Sequence, residues 1–257
     1  MKNYRTLLTH STKIGGAAVG GAVGSLAGPA GTVAGAAIGA ALAETCTVVL
    51  DDLANRWLSP KEKQRVADVA ALAIEQIRER LLWETRREDD FFEGDSDAPS
   101  PAEEILEGVL LTAKQEHEQL KLPYLANFYS NLVFAPYVQR HEANHLLGLV
   151  EGLTYRQLCI LSLASQLNEY DVRDEMWPPK ALIDAESLDV AQQSLYLFQR
   201  QLLISYRKDQ ERAGFVHEVN VVIPAFATVS STGSRVVELF GLKSVPKKHL
   251  IEIAKLW

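Results

Sequence analysis

Hydrophobic positions change their spacing along this chain, and each change marks a new element. From Ile14 to Ala43 no charged side chain occurs; alanine and glycine dominate, with Val19, Val23, Leu26, Val33, Ile38 and Leu42 between them. Charge returns at Glu44, Asp51, Asp52 and Arg56. Ser59-Pro60 followed by Glu62 is a helix-start signal: a capping hydroxyl, a proline tolerated in the first turn and a capping-box carboxylate. The helix it opens is predicted to run to about Arg87. Its apolar stripe is Val66, Val69, Ala70, Ala73, Ile74, Ile77, Leu81 and Leu82 at helical spacing. Residues 88–100 are acidic, contain Gly94 and Pro99, and read as an exposed linker in which Phe91 and Phe92 are positioned to dock on a neighbour. Ser100-Pro101 with Glu103 opens the next helix, through Ile105, Leu106, Val109, Leu110 and Ala113. Two more follow, over about Leu122–Tyr137 and Glu142–Leu149, and together they predict a helical bundle with short connections.

Beyond residue 152 the pattern changes. Thr154 caps a predicted helix through Leu167, Trp177-Pro178-Pro179 marks a loop, and a helix is expected from about Leu188 to Leu203. Leu203–Arg207 and Phe215–Ile223 alternate like strands around the polar turn KDQERAG, Ala227–Val229 adds a third short strand, and helices are expected at Gly233–Phe240 and Lys247–Lys255. Helices followed by a hairpin suggest a winged-helix-like module. The fold expected is therefore mainly α. It comprises an N-terminal glycine-zipper helical hairpin or kinked span in 1–57, a helical bundle in 58–152 and a winged-helix-like α+β module in 153–257.

Within the uncharged segment the glycines keep a four-residue beat: Gly16, Gly20, Gly24 and Gly28, then Gly31, Gly35 and Gly39. That spacing puts the glycines of each run on one helical face, where a missing Cβ lets two backbones approach closely. Pro29 stands between the runs and predicts a kink or a hairpin, because proline lacks the N–H and crowds the preceding turn. A span needs roughly 20 apolar residues. Glycine costs about 1 kcal/mol relative to alanine in a water-exposed helix, whereas lipid enforces backbone satisfaction and makes close packing the gain. Membrane insertion and self-association into a homo-oligomer are the expectations. The bland alternative is a buried Gly/Ala hairpin inside a soluble assembly. Ala41-Leu42-Ala43 imitates a signal cleavage site, but the apolar stretch is too long and too glycine-rich for one. Lys2, Arg5 and Lys13 before the segment nearly balance Arg56, Lys61 and Lys63 after it, so the charge rule assigns no direction.

The 257 residues carry 47% hydrophobic and 23% charged side chains, ordinary for a folded chain. A net charge of −7 argues against general nucleic-acid binding. Cys46 and Cys159 stand far apart with no metal or redox spacing, which suits a cytosol-facing body.

Candidate chemistry is sparse. His141-Glu142-Ala143-Asn144-His145 matches H-E-x-x-H, which on a helix places His141 and His145 on one face for zinc with Glu142 as base. A third ligand would have to come from a residue such as Glu169 or Glu175, neither in a recognisable motif, and polar residues are expected at a helix start without any metal. No phosphate-binding loop or nucleophile elbow occurs, so the chain reads as non-enzymatic, with no cofactor. Arg156, Arg200, Arg207 and Lys208 are candidate contacts for an anionic ligand, set against the plainer reading of a solvated basic face.

Three stretches, Leu122–Leu132 (LPYLANFYSNL), His145–Leu163 and Ala227–Gly241, make the chain resemble the abortive-infection alpha (Abi-alpha) proteins of bacteria. The resemblance implies anti-phage defence. Some such proteins look like membrane effectors controlled by the oligonucleotide product of a partner nucleotidyltransferase, as in Hailong-type systems. On that likeness the expectation is an ion channel or pore in the bacterial inner membrane, gated by a cytoplasmic soluble domain through a nucleotide or oligonucleotide. A soluble winged-helix regulator or scaffold binding DNA or a partner is the first competitor, and a zinc hydrolase using His141, Glu142 and His145 the second.

Overall fold

A computed structural model describes residues 44–53, 58–94, 98–175, 177–178, 180–205 and 222–257. The glycine segment, with Gly16, Gly20, Gly24, Gly28, Gly31, Gly35 and Gly39, and the cations Arg207 and Lys208 lie outside the described residues. The chain divides into two units, Met1–Gly152 and Leu153–Trp257. The described residues are mainly helical, with one small two-stranded sheet.

In the first unit, helix α1 covers residues 44–53 and buries Cys46, Val49 and Leu53. Helix α2 (Pro60–Arg80) starts at the expected capping box: the Ser59 N–H donates to Glu62 Oε2 at 2.7 Å and the Glu62 N–H to Ser59 Oγ at 3.4 Å. Helix α3 (Pro101–Gln115) starts the same way, with Ser100 and Glu103 bonded reciprocally at 2.9 and 3.2 Å. Helices α4 (Leu122–Leu132) and α5 (Arg140–Glu151) complete the unit. α2 packs against both α3 and α4, and α5 packs on α3. Phe91 is buried in a short 3₁₀ turn, Asp90–Phe92, that leans on α3, so the expected docking from the acidic stretch occurs.

α2 ends at Arg80, seven residues short of the expected boundary, and α4 ends at Leu132 rather than Tyr137. The two endings have one cause. α2 and α4 run in the same direction, with Gln76 opposite Asn127 and Arg80 opposite Asn131, so they run out of each other together. Past that point Leu82 is 81% exposed and Trp83 72%; Leu82 therefore does not belong to the buried stripe.

In the second unit, α6 (Tyr155–Ala164) is the core helix: every residue from Gln157 to Ala164 is buried. Thr154 caps it reciprocally with Gln157. It ends at Ala164 instead of Leu167, and a 3₁₀ turn, Leu167–Glu169, follows. Helix α7 (Ala185–Gln199) begins at Asp184, whose carboxylate accepts from the Glu186 and Ser187 N–H groups. It ends in a Schellman motif: Gln201 takes the left-handed conformation at φ 56°, Leu202 N–H bonds Leu197 O, and Gln201 N–H bonds Phe198 O, both at 2.9 Å.

Strand β1 (Leu203–Ser205) then pairs antiparallel with β2 (Ala227–Val229), Leu203 opposite Val229. Of the expected strand Phe215–Ile223, only Val222 and Ile223 are described; both are buried and neither is in a strand. Helices α8 (Ser231–Leu239) and α9 (Lys247–Ala254) close the unit, and both pack on α6.

Candidate functional site

Helix α1 is the first described element after the uncharged segment, and it is anchored. Cys46 and Leu53 are each 2% exposed. Burial pushes the Cys46 thiol up to about 12. Its charge would be felt at Tyr129 of α4, whose phenol is held protonated well above its ordinary range by burial first, then by Cys46 and Glu103. The buried face of α1 thus carries Cys46 within electrostatic reach of Tyr129 on α4.

A polar seam joins α2 to α4. Gln76 Nε2 donates to Asn127 Oδ1, and Ser130 Oγ–H to Gln76 Oε1, both at 2.7 Å. One turn on, Arg80 donates to Asn131 Oδ1 at 2.7 Å, holds Glu84 through two bonds of 2.9 Å, and lies 4.0 Å from the Phe134 ring centroid. Fully bonded polar groups between helices fix register, because a slip by one residue would leave them unpaired in low dielectric. The sequence reading missed this seam. The available signal was two matched i, i+4 pairs of polar residues on otherwise apolar helix faces, Gln76/Arg80 and Asn127/Asn131.

A buried ion pair sits where the chain enters α4. Lys121, 2% exposed, reaches Glu116 Oε2 at 2.5 Å and donates to the Glu151 carbonyl at 3.4 Å; the Glu118 N–H donates to the other Glu116 oxygen at 2.8 Å. These contacts tie the start of α4 to the end of α5.

His141 and His145 lie exposed on α5, which begins at Arg140. The structure brings Glu104 of α3 to this stretch. It is already taken by Arg140 and by Asn144 Nδ2 at 2.5 Å. Among the described residues no group of three metal-ligating side chains assembles. Asn144 of HEANH therefore has a structural use: with the preceding Arg140 it fastens α5 to α3.

Of the candidate anion contacts, Arg156 and Arg200 are among the described residues, and each is engaged separately. Arg156 is paired with Asp189 at 2.6 Å, and Arg200 caps α7 with its guanidinium 4.9 Å from the Tyr196 ring. Glu169, offered as a metal ligand by sequence, faces Lys247 at 3.7 Å. No single helix among the described residues is long and apolar enough to cross a membrane. No family model, curated protein or solved structure matches the chain.

Proposed function

We propose that this chain is an oligomeric, membrane-associated effector of bacterial anti-phage abortive infection, which opens an ion channel or pore in the inner membrane under control of its soluble body. One observation carries the reading. An uncharged 30-residue segment with two glycine runs is followed in sequence by α1, one face of which, Thr45, Cys46, Val49 and Leu53, is buried. A segment suited to close helix packing in lipid is thereby next in sequence to a body that can restrain or release it. The likeness of Leu122–Leu132 and Ala227–Gly241 to Abi-alpha proteins supports the defence role, and a nucleotide or oligonucleotide from a partner nucleotidyltransferase is the regulator it suggests.

The test is dye release from anionic lipid vesicles, with membrane potential followed in expressing cells. Release that needs residues 14–43 is expected; a protein that leaves vesicles intact and stays in the soluble fraction without detergent would sink the proposal. In that outcome the soluble winged-helix regulator takes its place. It is favoured by a different observation, the antiparallel β1–β2 pair placed after α7 as a wing would be.

A further inference from the structure

α2 ends at Arg80, yet two large apolar side chains follow it into water: Leu82 is 81% exposed and Trp83 72%. They stand on a bonded turn rather than a frayed end. The Trp83 and Glu84 N–H groups both donate to the Arg80 carbonyl, at 3.0 and 2.8 Å, and the Arg80 guanidinium grips the Glu84 carboxylate across the turn. Tyr137, also exposed, lies in the turn that follows α4 at the same end of the first unit, where Arg87 holds the Val138 carbonyl.

That end also receives the glycine segment. Cys46 lies in the first turn of α1, within electrostatic reach of Tyr129 in the last turn of α4. Arg80 meets the same last turn at Asn131. Glu44, the first residue after the uncharged stretch, therefore stands at the end of the unit where Leu82 and Trp83 stand clear of α2.

An indole is apolar in body and polar at its N–H, and tryptophan collects at membrane–water boundaries for that reason. A protein partner fits less well. Even with Trp83 counted at roughly 250 Å² when buried, the pair falls short of the about 800 Å² per partner that stable interfaces use. The charges on the turn have both signs, Arg78 and Arg86 against Glu79 and Glu84, so the attraction is interfacial rather than electrostatic. We propose that Leu82 and Trp83 are an interfacial anchor, entering the headgroup boundary of the bilayer that residues 14–43 enter. The anchor rests on the membrane reading of those residues, and it adds which end of the first unit faces lipid.

The experiment follows Trp83 fluorescence in the full-length chain reconstituted into vesicles of phosphatidylcholine and phosphatidylglycerol, taken as the part of the emission that Trp83→Phe removes. Lipids carrying a nitroxide near the headgroup or at the acyl-chain end report depth, and iodide reports water. Interfacial groups sit about 5–10 Å into the boundary, so quenching about twofold stronger by the headgroup-side nitroxide is expected, with iodide excluded. Leu82→Asp, a surface change that leaves the fold in place, is expected to return Trp83 to iodide while the chain stays with the vesicles. Insertion of the chain with Trp83 open to iodide would overturn the anchor alone. So would a Trp83 shielded from iodide yet untouched by either nitroxide, which would show that protein covers it, a second copy or another part of this chain. A chain that does not stay with the vesicles would remove the membrane reading and the anchor together.

Discussion

Arg87 closes the end of a helix to which it does not belong. It is 4% exposed, and its guanidinium donates to the carbonyls of Leu132 and Val138 at 3.3 and 3.1 Å, while its backbone N–H bonds Val133 O at 2.9 Å. A cation over the C-terminal carbonyls of α4 also suits the sign of the helix dipole. Asp89 and the Phe91 ring, 4.2 Å away, complete its surroundings. Removing the guanidinium strands these acceptors, so Arg87→Met is expected to cost about 2–4 kcal/mol in urea unfolding. The Arg87 bonds hold the Asp89 carboxyl below its ordinary value. That part of the stability is present above the unfolded carboxyl range and is lost as pH falls through the lowered folded value. Cys46 gives the opposite sign. A thiol raised from 9.0 to about 12 contributes stability below pH 9 that is lost as pH climbs toward 12. At pH 8 its alkylation is expected to follow opening of the fold, so adding urea below the midpoint should accelerate labelling; fast labelling of the native chain would show that α1 is not seated.

At the scale of elements, the starts of α2, α3 and α6 were legible and the ends of α2 and α4 were not. Ser59, Ser100 and Thr154 announce their helices through local chemistry, a hydroxyl three residues from a carboxylate or amide. The ends of α2 and α4 depend on where a partner stops, and spacing along one helix carries no record of that. Among the described residues β1 pairs with Ala227–Val229, and just beyond that strand α8 makes a close approach that only glycine permits. A Cβ on Gly233 would stand 2.1 Å from the Leu202 carbonyl oxygen, which already accepts from Ser230 N–H at 3.0 Å. Gly233→Ala must therefore push α8 off the end of β1, and a loss of about 2 kcal/mol or more is expected. Gln201→Gly is expected to do the reverse. A side chain in the left-handed region costs roughly 1–2 kcal/mol, so relieving it at the α7 Schellman turn should raise the thermal midpoint. A paired melt of the two variants reads both signs in one experiment.

For the whole molecule, the mainly helical class with a small sheet was readable from periodicity, because long apolar stripes at helical spacing exclude other classes. The candidate site was read less well. Sequence drew attention to HEANH and to scattered arginines. The structure instead shows a bonded seam between residues 51 positions apart, Gln76 with Asn127 and Arg80 with Asn131, and a buried Lys121–Glu116 pair that also reaches the end of α5. The glycine repeat makes its own prediction at this scale. Replacing Gly20, Gly24 and Gly35 by leucine puts bulk where two backbones are proposed to touch, and assembly on detergent gels and toxicity in cells should be lost together. Loss of toxicity with assembly intact would separate the packing role from the pore.

The seating of α1 carries a mechanical meaning. Ten residues held by a few buried side chains, Cys46, Val49 and Leu53 among them, form a short peel line between the glycine segment and the helical unit. Tension applied at residue 44 loads that line turn by turn, whereas the cores of α2, α3 and α4 would have to shear all at once. In an optical trap the first rupture is therefore expected at low force and with a short gain in length. The helix would act as a fuse, yielding first while α2, α3 and α4 stay folded.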